Sequence, residues 1–133
     1  MATSEPSQRR SGADPAAVLV VDDDPQVREM IRFALEGEGL TVETAADRRG
    51  ALERAARRRL GLLILDITLP GDGSTEIAGA VRAEQHGAVP VLVVTADGHA
   101  REKAERVGAY AYLVKPFEID DLVAAVRRGL AGH

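Results

Sequence analysis

The sequence predicts an α/β domain, with five parallel strands in a doubly wound sheet and five helices covering its two faces. Three observations predict it. Short aliphatic runs alternate five times with segments of helical period between residues 17 and 130. Three of those runs, AVLVV, LLILD and VPVLVVT, are apolar almost throughout, as parallel strands covered on both faces are. Each run gives way to a polar residue at its carboxyl end, where open parallel sheets place their sites.

The elements follow in order. Residues 1–16, MATSEPSQRRSGADPA, mix Ser, Pro, Gly and charge without period and read as a disordered leader. Arg9-Arg10 is not followed by an apolar stretch, so it does not make an export signal. AVLVV (17–21) is the first strand. Asp24-Pro25 then reads as an N-cap with proline at the first helical position. Val27, Met30, Ile31, Ala34 and Leu35 give this helix an inward stripe, and Gly37 and Gly39 end it. LTVET (40–44) is the second strand. The second helix starts near Asp47, with Ala51, Leu52, Ala55 and Ala56 inward and most of its arginines outward.

LLILD (62–66) is the third strand, and a third helix runs from about Ser74 to Gln85, carrying Ile77, Ala80 and Val81. VPVLVVT (89–95) is the fourth strand. A short polar helix from His99 to Val107 is stopped by Gly108, and AYAYLVK (109–115) is the fifth strand. Ile119, Leu122, Val123, Val126 and Leu130 give the last helix its stripe. The domain therefore spans 17–130, with 131–133 as a tail.

Composition narrows the function. The chain has 133 residues and 45% apolar content, enough for one core, which must be aliphatic because aromatics are 3%. A formal net charge of −4 argues against nonspecific nucleic-acid binding, so the arginines of the second helix read as a solvated face. Absence of cysteine excludes disulfides and cysteine-ligated zinc. No apolar run reaches the roughly 18 residues of a membrane helix, so no membrane partner and a cytoplasmic location are expected.

The strand ends carry the chemistry. The first is followed by Asp22-Asp23, the third ends in Asp66, the fourth in Thr95 and the fifth in Lys115. Acidic groups without nitrogen donors suit a hard divalent ion, which would also relieve the repulsion within VLVVDDDPQV. Lys115 and Lys103 are the only lysines in an arginine-rich chain. A lysine at a strand end suits a point-charge contact to phosphate. Carboxylates, a metal, a hydroxyl and an ammonium together make a phosphoryl site.

Four motifs in this order, VLVVDDD, LLILDITLPGDG, VLVVTA and AYLVKPF, resemble those of the receiver domains of two-component response regulators. The resemblance covers about residues 17–130. It implies a flavodoxin-like sheet of strand order 2-1-3-4-5. It further implies that Asp66 accepts a phosphoryl group from the phosphohistidine of a sensor histidine kinase or phosphotransfer protein. Asp22, Asp23, Asp66 and the backbone carbonyl of Thr68 would hold Mg²⁺, for which Mn²⁺ could stand in. Thr95 and Lys115 would bind phosphoryl oxygens, Thr95 and Tyr112 would form the switch, and Lys115–Pro116 would be cis. The output would be a changed surface on the fourth helix, fifth strand and fifth helix, read by a downstream protein. These expectations describe a stand-alone regulator without direct DNA binding. It would assist its own phosphorylation and dephosphorylation without being an enzyme otherwise.

Two departures from the family pattern stand out. LPGDGSTEI brings Asp72-Gly73 one residue early and puts Thr75 where an apolar residue is usual. The Thr95-to-Lys115 interval is about two residues short, trimming the fourth helix. Thr68 and Asp97 fall where the family modulates phosphoryl lifetime. Two other function classes compete. A docking module that needs no phosphorylation is disfavoured by the full set of Asp22, Asp23, Asp66, Thr95 and Lys115. A metal-dependent aspartyl-phosphate phosphatase would want a second Asp where Thr68 stands.

Overall fold

The structure is a computed structural model that describes residues 16–67, 73–96 and 98–132. The expected leader up to residue 15, Thr68, Asp72, Asp97 and His133 lie outside the described residues. Ten elements alternate: β1 (Ala17–Val21), α1 (Pro25–Glu36), β2 (Val42–Ala45), α2 (Arg48–Arg57) and β3 (Leu60–Asp66). They continue with α3 (Ser74–Gln85), β4 (Val91–Thr95), α4 (Ala100–Arg106), β5 (Ala111–Val114) and α5 (Ile119–Leu130). The five strands are parallel in the order β2-β1-β3-β4-β5, which is the 2-1-3-4-5 topology.

Alternation along each strand sends its side chains into two separate cores. Leu19, Val21, Leu63, Leu65, Val91 and Val93 face Ala51 and Ala55 of α2, Ile77 and Val81 of α3, and Ala104 of α4. Val18, Val20, Leu62, Ile64, Leu92 and Val94 face Ile31 and Leu35 of α1 and Leu122, Ala125 and Val126 of α5. Burying each Val or Leu contributes roughly 1.5–3 kcal/mol, enough to explain why strands buried on both faces tolerate so few polar residues.

Local signals start and stop the helices as the residue types dictate. The Asp24 carboxylate accepts from the Gln26 N–H at 2.9 Å and Pro25 opens α1. Asp47 caps α2 by accepting from Gly50 N–H at 2.9 Å. Gly39 and Gly108 adopt positive φ of 85° and 70° where the chain turns back from α1 and α4. No helix of the described residues is long and apolar enough to cross a membrane.

Several side chains sit otherwise than periodicity suggests. Met30 is 40% exposed, and Ala56, Ile119 and Leu130 are also exposed. β3 starts two residues earlier than the LLILD run, with Leu60 beside Ala17 before a register shift. β5 is shorter than AYAYLVK, although Tyr110 N–H and Lys115 N–H still bond the carbonyls of Val91 and Thr95.

Candidate functional site

Five polar side chains named from the sequence converge just beyond the carboxyl ends of the strands. Asp22 follows β1, Asp66 closes β3, Thr95 closes β4 and Lys115 follows β5. Asp22 and Asp66 are each 2% exposed and Thr95 is fully buried. One carboxylate oxygen from each of Asp22, Asp23 and Asp66 lies within 4.8 Å of the others, with Asp23 exposed at the mouth. Lys115 Nζ stands 3.3 Å from Asp22 Oδ2 and 3.5 Å from Asp66 Oδ2. The Lys115–Pro116 peptide bond is cis.

Strand ends produce this convergence because neighbouring parallel strands run in step. Asp66 sits beside Val94 and Thr95 beside Val114 in the register, so successive strand ends stand side by side. Asp22 lies one residue past the ladder, with its N–H still donating to Ala45 O at 3.1 Å. Its Oδ1 accepts the Asp24 N–H at 2.9 Å. The three consecutive carboxylates thus divide their work: Asp22 faces inward, Asp23 outward at the cluster, and Asp24 caps α1.

Electrostatics at this edge are unbalanced. Burial pushes the Asp22 carboxyl up to about 6; the Asp24 N–H opposes the rise, nearby Asp66 adds to it, and Lys115 opposes it. Three carboxylates against one ammonium leave two negative charges, matched by one divalent cation. The donors are all oxygens, which suits Mg²⁺ or Mn²⁺ and disfavours softer metals. The residues present therefore fit the ion that the sequence reading calls for. The Thr68 carbonyl, expected as a further ligand, is outside the described residues.

Some features of the site had no sequence signal or were missed. Lys115 reaches Asp22 as well as Asp66. Arg28, on the first turns of α1, donates from Nη1 to the Asp22 main-chain carbonyl at 2.7 Å. Its spacing of six from Asp22, on the helix that Asp24 caps, was the available clue. Tyr112, expected as the switch aromatic, is 42% exposed. Tyr110 is the packed tyrosine, and its hydroxyl donates to Ala125 O at 2.7 Å.

A family model described as the response regulator receiver domain matches residues 18–127. The probable transcriptional regulatory protein TcrX of Mycobacterium tuberculosis is 36% identical over 121 residues, covering 90% of this chain and 51% of TcrX. The chain thus spans about half the length of that relative. The chemotaxis protein CheY4 of Vibrio cholerae superposes with a TM-score of 0.76 at 35% identity, covering 86% of this chain and 98% of that one. The response regulator TrrA of Thermotoga maritima, solved in complex with Mg²⁺-BeF, gives a TM-score of 0.73 at 34% identity over 86% of this chain and 98% of its own.

Proposed function

The chain belongs to the response regulator receiver domain family, and on that premise we propose that it is a phosphoacceptor switch acting through Asp66. The observation that carries the reading is the convergence of Asp22, Asp23 and Asp66 within 4.8 Å, with the Lys115 ammonium against two of them. An Asp66 carboxylate oxygen attacks phosphorus of a partner's phosphohistidine. The P–N bond breaks, its electron pair returns to the imidazole, and that ring takes up a proton. Asp22, Asp23 and Asp66 would hold Mg²⁺, with the Thr68 carbonyl that the family resemblance adds lying outside the described residues, and the ion would supply charge neutralisation for the transferring phosphoryl oxygens. Lys115 then leaves its carboxylate partners for a phosphoryl oxygen, and the Thr95 hydroxyl donates to another.

The switch reading rests on the opposite positions of Thr95 and Tyr112. Thr95 is buried at the end of β4, whereas Tyr112 lines an open groove with Arg101, Ala104, Glu105 and Ala109 between α4 and β5. Drawing Thr95 toward a phosphoryl group frees space for Tyr112 to turn inward, which alters the α4–β5–α5 surface offered to a downstream protein. A histidine kinase or phosphotransfer protein has a separate apolar surface available, lined by Val27, Met30, Ala96, Pro116 and Phe117 beside Lys115. We assign no DNA contact to this domain. Arg48, Arg49, Arg54 and Arg58 of the α2 region are engaged by Glu76, Glu53 and Glu43. A cytoplasmic location follows from the proposed kinase partner.

The test is incubation with Mg²⁺ and acetyl phosphate followed by intact-mass measurement. One added phosphoryl group is expected, absent with EDTA and absent in Asp66→Ala. Protein that stays unmodified and does not respond to beryllofluoride would favour a phosphorylation-independent docking module instead. Modification that persists in Asp66→Ala would overturn the acceptor assignment.

A further inference from the structure

We infer that Arg28 is a positioning residue for the metal site, acting through the main chain of Asp22 and not through a carboxylate. The inference rests on the proposed reading of Asp22, Asp23 and Asp66 as metal ligands. The parallel ladder of β1 with its neighbours ends at Val21, so the Asp22 carbonyl lies beyond any sheet partner. A carbonyl in that position needs a donor from elsewhere. Arg28 supplies it at 2.7 Å from the end of the first turn of α1.

This bond completes the fixing of Asp22. Its N–H is held by Ala45 O, its Oδ1 by the Asp24 N–H, and its Oδ2 by Lys115. Arg28 therefore closes a loop from residue 22 to residue 28. Asp23, the exposed member of the carboxylate cluster, lies inside that loop. Releasing the Asp22 carbonyl frees the peptide that joins the two ligands, so Asp23 loses its fixed aim even though the Asp22 carboxylate keeps its bonds to Asp24 N–H and Lys115. Among the described residues Arg28 makes no ion pair within 4.0 Å, so its effect on the cluster runs through geometry more than through local charge neutralisation. Side chains that orient ligands in this indirect way commonly change metal affinity by roughly 10–100-fold.

The test is Mn²⁺ binding to the whole chain, followed by electron paramagnetic resonance of the free ion, in wild type, Arg28→Met, Arg28→Gln and Arg28→Lys. A Kd about tenfold weaker is expected in Arg28→Met, with partial recovery in Arg28→Lys and Arg28→Gln, which keep a side-chain donor. Metal-free melting temperatures, read alongside, show whether each variant is folded. The inference fails if any folded variant lacking a donor binds Mn²⁺ within twofold of wild type. It fails equally if Arg28→Lys and Arg28→Gln are as impaired as Arg28→Met. Should wild type itself bind no Mn²⁺, the metal-site reading falls, an outcome distinct from unchanged affinity in Arg28→Met.

Discussion

Gln85 and Asp22 lie at opposite ends of the same sheet, and both are polar side chains in partly dry surroundings. At the amino end, Gln85 accepts from Leu60 N–H at 2.8 Å and donates to the carbonyls of Ala55 and Arg58 at 2.6 and 2.7 Å. Arg82 nearby donates to the carbonyls of Val89, Val107 and Gly108. Each side chain there closes main-chain groups that loops would otherwise leave open. At the carboxyl end, Asp22 and Asp66 face each other across one lysine, and burial disfavours the charged form of Asp22. One end spends its polar groups on stability. The other holds charge at a cost that a bound cation would relieve.

Breaking the amino end should produce the largest loss of stability. Gln85→Ala leaves three main-chain groups without their partner and is expected to lower unfolding free energy by about 2–3 kcal/mol in urea melts. Its Mn²⁺ affinity should stay at the wild-type value, because the site lies at the other end of the sheet. A second, somewhat smaller loss is expected where α5 crosses the sheet. A Cβ on Gly129 would run into Leu62 Cδ1 and the Tyr110 hydroxyl, so Gly129→Ala should cost roughly 1–3 kcal/mol. Arg127→Ala supplies the low end of the scale. Its ion pair with Glu38, at 2.9 Å, has both side chains about half exposed, so the change should be within about 0.5 kcal/mol.

The two ends differed as much in legibility as in energetics. Asp22, Asp23, Asp66, Thr95 and Lys115 could be named from the chain because a strand end is a local feature and four such ends on one edge carry all five. The two-faced core was equally readable from aliphatic runs. Gln85, Arg82 and Arg28 gave no comparable signal, since their partners are main-chain atoms 6 to 30 residues away. Period alone also failed where coverage decides: Met30 sits on the α1 stripe yet meets solvent. Tyr110 and Tyr112 show the same limit: Tyr110 precedes β5 and turns to α5, whereas Tyr112 within β5 lies beside α4, a difference that spacing does not reveal. The family resemblance supplied the strand order, which pattern alone did not.

The carboxyl end of the sheet carries an electrostatic cost that a bound divalent cation would remove. Asp22 has a folded-state pKa raised from 3.8 to about 6, so the folded chain holds this proton more tightly than the unfolded one. Its contribution to stability is therefore fully present below pH 4 and is lost as pH rises through 6. The direct measurement is the melting temperature of wild type and Asp22→Asn between pH 4 and 7, in EDTA and in Mg²⁺. In EDTA the variant should gain on wild type as pH rises, reaching an advantage of several degrees at pH 7. Mg²⁺ should raise the wild type and leave the variant nearly unmoved, shrinking or reversing that gap. A variant that melts below wild type by the same margin at every pH, with and without Mg²⁺, would show that Asp22 carries no such cost.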